Sequence, residues 1–273
     1  MDLVVFDLDG TLLNARQTIT DYTRETLRLL SQRNIAYTVA TGRTLHAAKA
    51  CLAGVDFPLP HIYKNGVLVW QPESEIYSHT NLLEPEEIAA VLASFARNPI
   101  TPFVFTLEQD GAHAVYHTPP QTPACHAFMN ELTNNRGLTP RPISELPADA
   151  AITNISALGD KVAADAIHLD LASQEHLIGY IGGSMYDSSH AWIDIHHGAA
   201  SKGDALEILK SDLGVSRIIC FGDSDNDLSM FEMADEGYAP ANALDEVKAL
   251  ATEVIEHHDQ DGIARFLRSR FKL

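Results

Sequence analysis

The sequence predicts an α/β fold, an open parallel sheet covered by helices, with a separate α+β segment inserted into it. Three observations predict this. Short runs that are apolar at every position alternate with helical patterns at both ends of the chain, as strands buried on both faces of a parallel sheet require. The middle changes to a helix followed by hairpin-like runs. Prolines gather there too, eight of the 13 falling between 99 and 147.

Taken in order, "LVVF" (3 to 6), "YTRETLRLLSQRN" (22 to 34), "IAYTVAT" (35 to 41) and "TLHAAKACLAG" (44 to 54) read β, α, β, α. The segment 84 to 98 opens on Pro85 at a helix start and repeats apolar residues at Ile88, Val91, Leu92 and Phe95. Two strand-like runs in 103 to 117 flank Asp110-Gly111, a favoured hairpin turn, with Phe103, Phe105 and Tyr116 as hairpin core. A helix over 124 to 134, a strand over 151 to 157, a helix over 160 to 172 and strands over 177 to 182 and 191 to 196 complete the middle. The opening pattern returns in 201 to 214, 216 to 223, 243 to 251 and 262 to 270. The expected division is a discontinuous core of 1–82 and 190–273 around an insert of 83–189.

Composition bounds the function. With 45% hydrophobic and 21% charged residues the chain is of the ordinary globular class, and no stretch approaches the roughly 18 apolar residues of a membrane span. No secretory signal is visible at the start, so cytoplasm is the expected compartment. The net charge of -18 opposes binding to nucleic acid and to anionic membranes. An anionic substrate would be repelled by that field, so its site must carry its own cations. Cys51, Cys125 and Cys220 are an odd number, widely spaced, and read as buried thiols rather than a disulfide or zinc set. The sequence carries nothing that sets the oligomeric state.

In "VVFDLDGTLL" two acids, Asp7 and Asp9, stand where an apolar strand stops. If the extended conformation persists they share a face, roughly 6.6 to 7 Å apart. Ligands of open parallel sheets sit at the carboxyl ends of the strands, and two other runs end polar there: Thr41-Gly42-Arg43 and Asp223-Ser224-Asp225-Asn226-Asp227. So many carboxylates repel one another unless a hard cation sits among them, and an oxygen-only donor set points to Mg²⁺. A carboxylate approaching a phosphoryl oxygen meets a repulsion of about 4 kcal/mol at 4 Å separation in an effective dielectric of 20. Lys202 in "ASKGDAL" supplies a cation against it, and the Thr41 hydroxyl and nearby N–H groups can hold phosphoryl oxygens.

With "DLDGTLL" (7 to 13), "ATGR" (40 to 43), "YKNG" (63 to 66), "SKG" (201 to 203), "GDSDND" (222 to 227) and "ANA" (241 to 243) in this order, the chain resembles the Cof-type (IIB) branch of the haloacid dehalogenase superfamily of phosphohydrolases. The resemblance implies a Rossmann-like core with an α+β cap of the C2B type inserted after the third strand, over 83–189. It implies that Asp7 is the nucleophile, forming an aspartyl-phosphate, and that Asp9 is the general acid and base. It further implies that Asp7, the backbone carbonyl of Asp9, and Asp223 hold Mg²⁺. Leu8, Thr41, Gly42, Lys202 and Asn226 would surround the phosphoryl group, with Asp227 supporting them from behind. One departure is at the usual Gly before the "NA" element, which here is Ala241 in Ala241-Asn242-Ala243, preceded by Pro240.

The expected activity is therefore Mg²⁺-dependent hydrolysis of phosphomonoesters of small metabolites, sugar phosphates foremost. A phosphotransferase or mutase using the same intermediate, and a non-enzymatic phosphate-binding or signalling protein, are the alternatives. A receiver-like signalling domain needs only about one ordinary domain length, so the added cap-sized insert argues against it. Asp225 reads as a surface charge at a helix start and Asn65-Gly66 as a plain turn. The pairs His196-His197 and His257-His258 read as incidental, because adjacent strand residues face apart and no carboxylate has ligand spacing.

Overall fold

A computed structural model describes residues 2–98, 100–109, 111–136, 138–183 and 189–273. In chain order its elements are β1 (Asp2–Phe6), α1 (Asp21–Gln32), β2 (Ala36–Val39), α2 (Leu45–Leu52), β3 (His61–Tyr63), β4 (Leu68–Gln71), β5 (Ile76–Thr80), α3 (Pro85–Arg97), β6 (Thr101–Leu107), β7 (His113–His117), α4 (Pro123–Arg136) and β8 (Pro140–Pro142). There follow β9 (Ala151–Asp160), α5 (Lys161–Leu171), β10 (Leu177–Gly183), β11 (His190–His197), α6 (Lys202–Leu213), β12 (Arg217–Phe221), α7 (Leu228–Met233), β13 (Glu236–Pro240), α8 (Asp245–Leu250), β14 (Glu253–Ile255) and α9 (Gly262–Phe271). They form two compact units. One holds the chain up to Thr80 and again from Ser201, and the other is Asn81–Ala200.

The first unit is built on a parallel sheet in the order β14-β13-β12-β1-β2. Leu3, Val4, Val5 and Phe6 are all fully buried, because both faces of β1 are covered. On one face Leu3, Val5, Ile218 and Cys220 pack with Leu206 and Leu209 of α6, Met230 of α7 and Val247 of α8. On the other, Phe6 meets Phe221 with ring centroids at 5.4 Å, and Phe221 meets Phe266 of α9 at 5.8 Å. Each such fully buried side chain contributes about 1.5–3 kcal/mol. The helices begin at polar caps: Thr20, Thr44 and Ser201 accept from Thr23, Ala47 and Asp204 N–H respectively. The chain order reverses direction between β1 and β12, which makes their carboxyl ends the switch point where ligands of such sheets bind.

An antiparallel meander β3-β4-β5, absent from the sequence expectation, follows β2 and touches the main sheet through an Ala40–Ile62 bridge. Its outer strand β5 is mostly exposed, so it lacks the apolar run that marks a buried strand. Strands β13 and β14 were also unmarked, being short and interrupted by Gly237, Pro240 and charged residues.

The second unit carries a sheet in the order β10-β11-β9-β6-β7-β8. Val91 and Phe95 of α3 and Ile167 and Leu171 of α5 pack with Val104, Tyr116, Ile155 and Ile193 on one face. On the other, Phe128 and Leu132 of α4 pack with Phe103 and Phe105. Leu92, expected on the apolar stripe of α3, is exposed. The expected end of the insert at 189 is corrected to 200. Strand β11 pairs antiparallel with both β9 and β10, and its own alternation could not say which sheet it joins. Of the Asp110-Gly111 turn, Asp110 lies outside the described residues; Gly111 has φ +79°. Asp194 of β11 accepts from Asn154 Nδ2 at 2.6 Å and from Ser156 Oγ, and meets His196 Nε2 at 2.8 Å. Among the described residues no helix is long and apolar enough to cross a membrane.

Candidate active site

Asp7 directly follows β1. Its N–H donates to the Phe221 carbonyl at 2.9 Å, so the pairing with β12 continues to the residue that carries the carboxylate. Lys202, at the first position of α6, is fully buried and donates to Asp7 Oδ1 and to Asp227 Oδ1, each at 2.6 Å. Asp227 Oδ2 in turn accepts the N–H groups of Asp223 at 2.8 Å and Ser224 at 3.1 Å. One aspartate thus fixes both the lysine and the loop after β12. The close approach explains Gly222, where a Cβ would lie 2.5 Å from the Asp227 carboxyl carbon.

Asp223 Oδ1 accepts from the Thr11 hydroxyl at 2.8 Å. Gly10, at φ +71°, lies so close that a Cβ would overlap the Asp223 carboxylate. Asn242 Nδ2 donates to the Gly10 carbonyl at 2.8 Å, and that asparagine is held through Oδ1 by His258 N–H at 3.2 Å. With Ala241 before Asn242 the arrangement still forms, and the Pro240 carbonyl accepts Ala243 N–H at 2.8 Å and closes the turn.

Ligating oxygens of Asp7, Asp223 and Asp227 lie within 4.8 Å of one another. One lysine cannot neutralise three acids. Burial pushes the Asp7 carboxyl well up from its ordinary value; Lys202 pulls it down, and Asp227 and Asp223 push it up again. Burial also raises Asp223 to about 6, against the Thr11 hydrogen bond. Burial alone would lower Lys202, but Asp227 and Asp7 outweigh it and raise it, so the lysine keeps its charge. A crowded, oxygen-only donor set with excess negative charge fits a hard divalent cation. Asp7 and Asp223 are the side chains that could hold it, since Asp227 already spends its oxygens on Lys202 and two N–H groups.

Asp9 stands apart from this cluster. The chain turns at Gly10, and the half-exposed Asp9 carboxylate takes a two-point contact from Arg43, Nη2 to Oδ1 at 2.5 Å and Nε to Oδ2 at 2.6 Å. The uninterrupted extended run on which the shared face of Asp7 and Asp9 was conditional does not continue past Asp7, and Arg43, which holds Asp9, also lies within electrostatic reach of Asp7. Arg43 is a site residue that the sequence left without a role; its signal was its place in "ATGR".

Thr41 and Gly42 follow the Ala40 bridge, with Thr41 buried and its carbonyl accepting Asn65 N–H at 3.1 Å. Asn65 Oδ1 accepts from Asn226 Nδ2 at 2.9 Å and would lie 3.0 Å from a Cβ on Gly42. The structure therefore brings Thr41, Gly42 and Asn226 together through Asn65. Asn65 is more than turn punctuation. Lys64, Asn65 and Gly66 all have positive φ, and Gly66 backs onto the Ser201 carbonyl so tightly that a Cβ would collide with it. Leu8 is fully buried in the turn after Asp7, and Asp225 is partly buried, its Oδ1 accepting Asn226 N–H at 2.9 Å. Of the cysteines, Cys125 and Cys220 are buried as expected. Cys51 is only partly so, and accepts from Arg43 Nη1 at 3.0 Å.

Residues 4–267 match the family model of haloacid dehalogenase-like hydrolases. The chain belongs to that family. As a Cof-type haloacid dehalogenase-like hydrolase it is an enzyme of the phosphoric monoester hydrolase class. It is 27% identical to the 5-amino-6-(5-phospho-D-ribitylamino)uracil phosphatase YitU of Bacillus subtilis, over 99% of this chain and 98% of that one. It is 24% identical to the pyridoxal phosphate phosphatase YbhA of Escherichia coli, over 98% and 97%. A solved haloacid dehalogenase-like hydrolase from B. subtilis shares the fold with a TM-score of 0.80 and 23% identity, over 98% of this chain and 99% of that one.

Proposed function

We propose that this hydrolase is a Mg²⁺-dependent phosphatase that cleaves phosphomonoesters of small cytoplasmic metabolites, sugar phosphates foremost, through an aspartyl-phosphate on Asp7. The observation that supports it most is the buried Lys202 held between Asp7 and Asp227 at the switch point of the parallel sheet. Lys202 fixes one oxygen of Asp7, and the other is the atom to attack phosphorus. In that step a bond forms between Asp7 and phosphorus, the ester P–O bond breaks, and Asp9 gives its proton to the leaving oxygen. Water then attacks the phosphorus, Asp9 takes its proton, and the Asp7–phosphorus bond breaks to release phosphate. Because Arg43 occupies both Asp9 oxygens, Asp9 must leave Arg43 to reach the leaving group.

Mg²⁺ held by Asp7, Asp223 and the Asp9 carbonyl would offset the charge between the attacking carboxylate and the phosphoryl oxygens. Lys202 adds a second cation, and Thr41, Gly42, the Leu8 N–H and Asn226 would orient the phosphoryl oxygens. We assign Asp227 the task of positioning Lys202 and the Asp223 backbone. The second unit, Asn81–Ala200, serves in this reading as the cap that selects the substrate. YitU and YbhA are named for a ribityl phosphate and a pyridoxal phosphate. A sugar-like or hydroxylated phosphate ester is the class that supports both kinds of relative.

The test is phosphate release from a panel of sugar phosphates, pyridoxal phosphate and 5-amino-6-(5-phospho-D-ribitylamino)uracil, with Mg²⁺ and with EDTA. Asp7→Asn serves as control. Turnover that needs Mg²⁺ and vanishes in Asp7→Asn supports the reading, and undiminished Asp7→Asn activity overturns it. Product phosphorylated on an added acceptor, with no free phosphate, would instead mark a phosphotransferase.

A further inference from the structure

Two groups of side chains, among the described residues, bring three ligating atoms within 4.8 Å: the acid cluster above and His257, His258 and Asp259. The expectation that the 257–258 histidines lack a carboxylate partner does not hold. They lie in a turn rather than a strand, and Asp259 follows directly. The rings are tilted at 33° to each other with centroids 4.7 Å apart, and His258 Nε2 lies 3.9 Å from Asp259 Oδ2. Ligands around a tetrahedral ion at ordinary bond lengths stand about 3.3 Å apart, so a small side-chain rotation closes the set.

The surroundings also prepare two of the three donors; His257 instead accepts the Asp259 N–H through Nδ1 at 3.2 Å and exchanges that hydrogen bond for the ion. His258 Nδ1 lies 2.7 Å from the Leu13 carbonyl, a contact that places the ring proton on Nδ1 and leaves the Nε2 lone pair outward. Asp259 Oδ1 accepts Ala15 N–H at 2.7 Å, which orients the carboxylate and keeps Oδ2 toward His258. Asp259 is exposed and both histidines partly so, giving an ion and its waters access. Two imidazoles and one carboxylate are a borderline donor set, suited to Zn²⁺, Ni²⁺ or Cu²⁺ rather than Mg²⁺. The charge of -18 favours any cation.

We propose that His257, His258 and Asp259 form a surface site for a divalent transition-metal ion, distinct from the Asp7, Asp223 and Asp227 cluster. The segment that carries all three donors already hydrogen-bonds to Leu13 and Ala15, the chain just after the turn that carries Asp7 and Asp9. The site does not depend on the proposed phosphatase reading.

The experiment uses the full-length chain carrying Asp223→Asn, which removes a donor from the acid cluster. It is titrated with Cu²⁺ and followed by electron paramagnetic resonance, with Zn²⁺ affinity measured against a chromophoric chelator. The expected result is one equivalent of bound Cu²⁺ with nitrogen couplings from imidazole. Adding His257→Asn, which retains an acceptor for Asp259 N–H, should change those couplings and weaken Zn²⁺ more than about tenfold. Zn²⁺ should also raise Tm in the Asp223→Asn protein and lose that effect in the double variant. No stoichiometric binding, or nitrogen couplings and Zn²⁺ affinity unaltered by both His257→Asn and His258→Gln, overturns the site.

Discussion

Lys202 Nζ meets Asp7 Oδ1 at 2.6 Å with the lysine fully out of solvent, so a charge from the start of α6 is delivered to the residue that directly follows β1. Removing that charge while keeping the volume leaves Asp7 and Asp227 buried without a cation. Lys202→Met should lower kcat at least about 100-fold, and lower stability by about 3 kcal/mol. Steady-state assays and urea unfolding read the two effects. Activity within a few-fold of wild type would refute the placement of this lysine at the reacting group.

Gly10→Ala places a methyl group against the Asp223 carboxylate at a backbone position with φ +71°. Stability should fall by more than about 1 kcal/mol, and the Mg²⁺ concentration for half-maximal activity should rise. A Mg²⁺ titration of initial rates checks this, and an unchanged midpoint would show that the Gly10–Asp223 approach has no bearing on metal binding.

Asp223, raised by burial to about 6, is costlier to ionise in the folded chain than in the unfolded one. For a carboxyl with a raised folded value, its own contribution to the stability of the metal-free protein is most favourable below the unfolded value of about 3.9 and falls away as pH climbs to about 6. Asp223→Asn should therefore be more stable than wild type at pH 7.5 in EDTA, with the difference shrinking toward pH 4. Urea midpoints of both proteins at four pH values between these limits measure it. A pH-independent difference would contradict the assignment.

In the second unit, Asp194 gathers Asn154, Ser156 and His196, all three of which are buried. Asp194→Ala strands their polar groups and should cost more than about 2 kcal/mol, with Asp194→Asn costing less because it keeps an acceptor. Thermal or urea unfolding of the two variants provides the comparison; equal, negligible losses would mean that the network adds nothing to stability.

The fold class was legible in the sequence because "LVVF" and "IICF", apolar at every position, are what a strand covered on both faces needs. Asp7, Asp223 and Lys202 were legible as neighbours for a related reason: strands and a helix start deliver whatever follows them to one rim of a parallel sheet. What the sequence by itself determined was this local grammar, together with the demand for cations that clustered acids and an anionic substrate place on the site. The tertiary structure alone decided which partner each polar group takes. Arg43 lies 34 residues from Asp9, Asn65 lies 161 from Asn226, and Thr11 lies 212 from Asp223. No period or cap signal spans such distances. Strand β11 joined the second unit rather than the first because its hydrogen-bonding edges found β9 and β10, a choice that its own residues do not encode. Local pattern reflects backbone geometry and burial, which repeat over a few residues, whereas hydrogen-bond and ion-pair partners depend on where the folded chain returns.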